Sequence, residues 1–520
     1  MDMASRLELL PTELLDHILE AVDDTAARSI ATRYHDRIRV FDALSRTCRL
    51  FRNAGRPYLY RTFESLNNGK GLRTFARTLY EEPTLVPYVH LLNVIPSRAA
   101  CAVQPSHEDL RRCMRVLRSL KDTSIYNDIV DALLQGCHTA ELVVLLCLTT
   151  NMRILQISTY DHQTAKDHKH CWHCPDMAEC LQAVFSPTRL STFPTVPYST
   201  LDYCFLFGKF FDFASDTIQH RGTSPSSIQT LLQLPGLTAL DCSGIGAAET
   251  NMQWTAPATS SNVERLKLVY GNVDADSVHK ILRTCKCVKD LEIAWEAIMP
   301  GQENHEDHNM YVHVETSILK AALDLHKEHL EELELTNKMD ECMAWASQPR
   351  IGDFHDFTSL RKLRIDESLL RTRWREMDFE LLLPRSLVAL VIYSERNLKH
   401  LSKIIPALRG FKGEDWSLLQ VLFPSRREMA GDIDEVLARP RSEKALDWNI
   451  GLRDSDDGKR IGFQCEQTPV WRCLERLTPL LCTKGVVGML EELFPEAARS
   501  SDAEEDLANV TRGSSFTIDI

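Results

Sequence analysis

The sequence predicts an α/β fold: a stack of short strands alternating with helices, preceded by a helical N-terminal segment. Three observations predict it. First, a motif (apolar, two residues, Leu, one residue, apolar) returns at Val89/Leu92/Val94, Met152/Leu155/Ile157, Leu237/Leu240/Cys242, Val263/Leu266/Leu268 and Val288/Leu291/Ile293. It comes again at Leu330/Leu333/Leu335, Leu360/Leu363/Ile365 and Leu387/Leu390/Ile392. Second, successive starts from 237 to 387 lie 26, 25, 42, 30 and 27 residues apart, room for one strand and one helix each. Third, helical patterns fall between motifs: Val278, Ile281, Leu282 and Cys285 follow an N-cap at Asp274 or Asp276, and Leu319, Ala322, Leu323 and His326 follow Thr316. The motif alone is weak, since a chain this long would show on the order of twenty by chance. The spacing carries the assignment.

Within each unit, strand alternation assigns Leu266, Leu291, Leu333 and Leu363 to the inward side. Lys267, Glu292, Glu334 and Arg364 then face out on the sheet. The 42-residue unit holds Glu296 to Glu315, a polar insertion expected to project as a loop. Between 157 and 237 the period is lost, with a helix expected at Met177–Phe185 and a strand near Leu190–Val196. After 392 it is lost again. Leu398, Leu401, Ile405 and Leu408, and later Trp471, Leu474, Leu477 and Leu481, read as helical stripes that cap the array.

At the N-terminus Pro11 suits the first turn of a helix, and Glu13 suits the positive end of its dipole. Leu14, Leu15, Ile18, Leu19 and Val22 then form one apolar stripe. Phe41, Leu44, Cys48 and Phe51 recur at steps of three, four and three, again one helix face. Arg46, Arg49, Arg52 and Arg56 line another. Residues 1–65 hold ten basic and ten acidic side chains, so those arginines read as a solvated face.

Leu10-Pro-Thr-Glu-Leu-Leu15 and Cys48-Arg-Leu-Phe-Arg52, closed by Pro57-Tyr-Leu-Tyr60, resemble an F-box. That module docks a protein onto the Skp-type adaptor of a cullin ubiquitin ligase. The resemblance implies that Leu10, Pro11, Leu14, Leu15 and Ile18 touch the adaptor. It divides Leu44, Cys48, Phe51, Pro57 and Leu59 between adaptor contact and internal packing. One departure is the 37-residue step from Pro11 to Cys48, with Asp23 to Arg39 longer and more polar than the usual connection.

The repeats resemble an irregular leucine-rich-repeat solenoid, of a kind joined to F-boxes in fungi. The expected organisation is then an F-box at 1–65, an irregular solenoid at 66–395, a helical capping region at 396–499 and a disordered acidic tail at 500–520. The family implies a substrate-recognition subunit of an SCF-type ubiquitin ligase, with a Skp-type adaptor, a cullin and a target protein as partners. Catalysis is then external. The alternative is a repeat scaffold outside any ligase, whose N-terminal helices only cap the array. Burial of Pro11, Leu14 and Ile18 separates the two, because a docking face stays exposed and a cap turns inward.

Other chemistry finds less support. The net charge of −13 argues against a general nucleic-acid binder. No basic-then-apolar leader opens the chain, and the most apolar run, Leu142 to Leu148, is too short for a membrane span. An intracellular protein, cytoplasmic or nuclear, is expected, with no membrane partner. Its 16 cysteines then act as small buried hydrophobes, and the Asn509-Val-Thr511 sequon meets no glycosylation enzyme. Cys171-x-x-Cys174, with His168, His170, His173 and Cys180 around it, has the bite of a zinc knuckle, but no second ligand pair follows downstream. It reads as a packed loop without metal. Cys285-x-Cys287 reads as core. Gly244-x-Gly246 is followed by Glu249 and no phosphate-binding lysine, so it reads as a turn. With neither a Gly-x-Ser-x-Gly elbow nor His-Glu-x-x-His, no enzyme activity or cofactor is expected.

Overall fold

The computed structural model describes residues 11–27, 33–47, 49–65, 70–94, 105–159, 175, 177–191, 197–208, 225–245, 254–271, 273–295, 315–337, 351–366, 369, 382–393, 418–422, 449–455, 458–464 and 515–518. The chain divides into two compact units, Met1–Val263 and Glu264–Ile520.

The first unit opens with three helices: α1 Thr12–Ala27, α2 Arg33–Thr47 and α3 Arg49–Arg61. The Leu15 N–H donates to the Pro11 carbonyl at 3.1 Å, so the first turn closes directly behind the proline. Leu15, Leu19, Phe41 and Phe51 are buried together, with Leu44, Leu50, Ala54, Tyr58 and Leu59 packed against them. Phe41 stacks on Tyr58 at 5.5 Å between centroids. Such offset aromatic pairs add to plain area burial, so this contact ties α2 to α3.

Five strands follow in chain order: β1 Thr62–Ser65, β2 Leu91–Val94, β3 Ile154–Thr159, β4 Tyr203–Gly208 and β5 Ala239–Ser243. Each pairs parallel with the next. The motif leucines align in one register, Leu92 with Leu155 and Cys204 with Leu240. Two strands correct the sequence reading. β1 lies inside the segment assigned to the helical module, with Phe63 opposite Leu92 at the leucine position. β4 falls where the period looked lost, because Cys204, fully buried, replaces the leucine. The strand expected near Leu190–Val196 is not formed at its start, where Pro187–Leu190 is a helical turn; residues 192–196 lie outside the described set. The helix Met177–Phe185 is present as expected.

Helices cover the inner side of this sheet. Lys70–Glu81 buries Leu72, Ala76 and Leu79 at helical spacing, and its Arg77 makes two hydrogen bonds to Asp109, at 3.1 and 2.6 Å. Asp109 itself sits in the first turn of the helix His107–Leu117, capped by Ser106. His138–Leu148 is buried from His138 to Cys147, as its all-round apolar sequence requires. Among the described residues no single helix is long and apolar enough to cross a membrane.

In the second unit, β6 Arg265–Gly271, β7 Asp290–Trp295, β8 Glu332–Asn337, β9 Lys362–Asp366, β10 Ala389–Tyr393 and β11 Leu418–Leu422 again pair parallel in chain order. Leu266, Leu291, Leu333, Leu363, Leu390 and Leu419 stand opposite one another in turn. One backbone device recurs in both units. The carbonyl just before a strand accepts two N–H groups from the entry to the next strand, as Glu264 does from Lys289 and Asp290, and Lys289 from Glu331 and Glu332. Glu331 and Arg361 repeat it here, and His90, Arg153 and Asp202 do so in the first unit.

Two helices are described in this unit. Ala275–Thr284 is capped by Asp274, whose carboxylate accepts from the Ser277 N–H at 2.8 Å, which decides between the two candidate caps. Thr316–Asp324 starts at Thr316 itself, behind Glu315, and has no side-chain cap. Two buried groups tie neighbouring strand–helix segments of this unit together. The Trp295 indole donates to the Val273 carbonyl at 2.9 Å. His326 accepts from the Val288 N–H at 3.3 Å and reaches the Leu282 carbonyl at 2.9 Å with its other nitrogen.

The C-terminal expectations need correction. Residues 396–499, assigned to helical caps, contain β11 and a hairpin of β12 Asn449–Ser455 with β13 Gly458–Gln464. The tail assigned to disorder contributes β14 Ser515–Ile518, parallel to β13. The reason is a local alternation with a period of two, which neither a helical period of 3.6 nor the acidic composition of the tail describes. Ile450 and Leu452 stand opposite Phe463 and Ile461, and Phe516 and Ile518 opposite Ile461 and Phe463. The stripes at 398–408 and 471–481 lie outside the described residues, as do 296–314 of the insertion.

Candidate interaction surfaces

Two surfaces carry the residues singled out by the sequence. The first is the outer side of α1. A helix with apolar residues at adjacent positions cannot bury them all on one side, and the doublet Leu14-Leu15 is divided accordingly. Leu15 is 1% exposed and Leu19 fully buried, whereas Leu14 is 47% exposed and Ile18 38%. Pro11 is exposed beside them in sequence. Leu14 and Ile18, four residues apart, share one helix face.

The remaining candidates fall on both sides of the module. Leu15 is core, so its expected place at a partner surface is corrected to internal packing, and Phe51 falls on the packing side of its expected division. Leu44 and Leu59 are half-buried against that core, and Pro57 is half-buried inside α3. Leu10 and Cys48 lie outside the described residues. One exposed apolar residue escaped the sequence reading: Val40 on α2, adjacent to the buried Phe41. The signal was there, since two adjacent apolar residues point to different sides of a helix. The arginine face is solvated as expected at Arg46, Arg49 and Arg52, and Arg46 pairs with Asp42 at 2.7 Å. Arg56 instead reaches Glu82 beyond the module.

The second surface is the outer side of the second unit's sheet. Leu266, Leu291, Leu333 and Leu363 are all buried, and the charged residues after them are partly or fully exposed. Lys267 pairs with Glu292 at 2.5 Å, and Arg364 with Glu334 at 2.9 Å. One position before the leucines, Lys362 pairs with Glu332 at 2.5 Å. Asp290 makes no ion pair among the described residues; burial pushes its carboxyl above the usual range, Lys267 and Arg265 oppose the rise, and Glu332 and Glu292 add to it. The first unit's sheet is more aromatic on the equivalent side. There Tyr203, Phe205 and Phe207 are half-exposed on β4, and the Tyr203 hydroxyl donates to Asp241 at 2.8 Å.

Among the described residues, no group of three or more His, Cys, Asp or Glu side chains is placed to hold a metal. Residues 160–174, with the His/Cys run, lie outside them, and Cys180 is fully buried in the helix Met177–Phe185. Cys285 is buried as expected, whereas Cys287 is half-buried, with desolvation pushing its thiol pKa up. Gly244 has φ 70 at the end of β5, the left-handed conformation of a turn glycine. No family model matches the chain, and no curated protein matches its sequence.

Proposed function

We propose that the chain is the target-recognition subunit of an SCF-type ubiquitin ligase. In this reading α1, α2 and α3 form an F-box that docks on a Skp-type adaptor. The strand–helix units form an irregular leucine-rich-repeat solenoid that holds a target protein. The chain performs no chemistry itself. It raises the effective concentration of target lysines near the loaded conjugating enzyme on the cullin.

One observation carries this reading. Pro11, Leu14 and Ile18 are exposed on a helix whose opposite side, through Leu15 and Leu19, is anchored in a core. Exposing apolar side chains beside one another has a cost unless a partner covers them, and a few well-packed anchors carry most of the energy of an interface. A helical cap for the sheet would have turned the same residues inward. Supporting it further, within each compact unit the parallel strands pair in sequence order and a backbone bridge recurs from strand to strand, the arrangement a solenoid requires.

The test is co-purification. The wild-type chain is expected to capture a Skp-type adaptor and, through it, a cullin. Pro11→Ala with Leu14→Ala is expected to abolish capture, each truncation costing about 2 kcal/mol of binding, with thermal stability nearly unchanged. Undiminished capture by the double variant would remove the F-box reading.

A further inference from the structure

We infer that the outer face of the helix His107–Leu117 docks an acidic amphipathic helix of a partner protein. The face uses no residue of α1 and none of the sheets, so the inference stands independently of the ligase reading.

The helix is anchored along one side. Asp109, Cys113 and Leu117, spaced at one turn, are buried, with Arg77 bonded to Asp109 and the Tyr80 hydroxyl 3.2 Å from the Cys113 Sγ. The other side borders an open cavity of about 590 Å³. Among the described residues, two rails line it. Leu110 and Met114, half-buried one turn apart, form an apolar rail, and the exposed Arg111, Arg115 and Arg118 form a basic rail beside it. From Arg111 to Arg118 is about 10 Å along the axis, so the basic rail spans two helical turns.

Among the described residues the basic rail lacks the carboxylates that neighbouring arginines have. Arg73, Arg77 and Arg112 each hold an acidic partner, Glu141, Asp109 and Glu81 in turn. Arg115 and Arg118 make no ion pair among the described residues. Arg111 comes only within 3.8 Å of Glu108, whose carboxylate Arg112 binds at 3.1 Å. The chain has 73 acidic side chains against 60 basic, so carboxylates are in excess. Arginines left without them beside an apolar rail give this face a charge opposite to that of the whole chain.

Charge and spacing together select the occupant. Both rails repeat at helical intervals along one axis, so a second helix laid alongside meets them turn by turn. Its apolar face covers Leu110 and Met114, and Asp or Glu on its flank pair with the arginines, as flanking charges choose partners in paired helices. Each such carboxylate can accept two N–H groups from one guanidinium. An anionic lipid surface also attracts arginine beside apolar side chains. A flat surface leaves the concavity unfilled, however, and the net charge of −13 opposes its approach.

The experiment uses the purified full-length chain and a fluorescent helical peptide of about 20 residues, read by anisotropy. The probe carries leucine along one face, flanked by glutamate, and a control carries lysine in place of each glutamate. The glutamate peptide is expected to bind, more weakly as salt rises, and the lysine peptide is expected not to bind. Arg115→Gln with Arg118→Gln is expected to weaken binding by about tenfold or more. Met114→Ala is expected to weaken it as well, through the apolar rail. Arg283→Gln, at an exposed position of the helix Ala275–Thr284, is expected to leave binding unchanged, with circular dichroism confirming that every variant folds. Undiminished binding by either rail variant, or equal loss in Arg283→Gln, overturns the inference. So does Arg115- and Arg118-dependent binding to phosphatidylserine vesicles without binding of the peptide, which assigns the face to lipid. Pro11→Ala with Leu14→Ala is expected to bind the peptide as the wild type does, so that this inference and the ligase reading fail separately. Loss of peptide binding in that variant would place the peptide on α1 and overturn the inference.

Discussion

Leu291 and Glu292 are neighbours in sequence, yet one is buried in the core and the other is half-exposed on the sheet. Strand alternation makes the difference, and it sets two opposite expectations. Leu291→Ala or Leu333→Ala removes a buried side chain from a stack of equivalent leucines and should cost about 2–5 kcal/mol in urea unfolding. Glu292→Gln, at the surface, should stay within about 0.5 kcal/mol. A third residue governs acid behaviour. His138 is buried at the start of its helix near Arg73, and burial, then that guanidinium, lowers its pKa to about 4. The unfolded chain takes up this proton near pH 6.5 and the folded chain only near 4. Stability is therefore full above about pH 6.5 and is lost as pH falls toward 4. His138→Asn should flatten that part of the melting-temperature profile, and an unchanged profile would remove His138 as its source.

At the scale of elements, most of the parallel strands in the two units were legible and three were not. The motif located each strand whose central residue is leucine between Leu92 and Leu390. It missed β1 and β4 because Phe63 and Cys204 fill the same buried place. β11 was passed over because the helical stripe at 398–408 suggested that the array had ended, although Leu419 continues the register from Leu390. Helix entry was legible to within two residues. The Asp274 carboxylate bonds both the Ser277 N–H and its hydroxyl, so Asp274→Ala should cost about 1 kcal/mol. Asp276, which was equally plausible from sequence, pairs instead with Lys280 on the helix surface at 2.5 Å, and Asp276→Ala should cost only about 0.5 kcal/mol or less. Comparing the two variants by thermal unfolding checks the assignment.

For the whole molecule, the reading of Cys171-x-x-Cys174 as a metal-free loop gives a direct check. Elemental analysis of the purified chain is expected to find no stoichiometric zinc, and Cys171→Ser with Cys174→Ser is expected to fold normally. About one zinc per chain would reverse that reading, because structural zinc contributes directly to folding. By itself the sequence determined the alternation of strands and helices and the identity of most inward leucines, because both follow from local periodicity. It also placed Leu14, Leu15, Ile18, Leu19 and Val22 on one apolar stripe of α1. Only the tertiary structure decided that Leu14 stays at the surface while Leu15 enters the core. It alone paired Lys267 with Glu292 and Arg364 with Glu334. The physical reason is that exposure and charge pairing depend on segments 25 or more residues away, brought alongside by strand register, and local pattern carries no record of that distance.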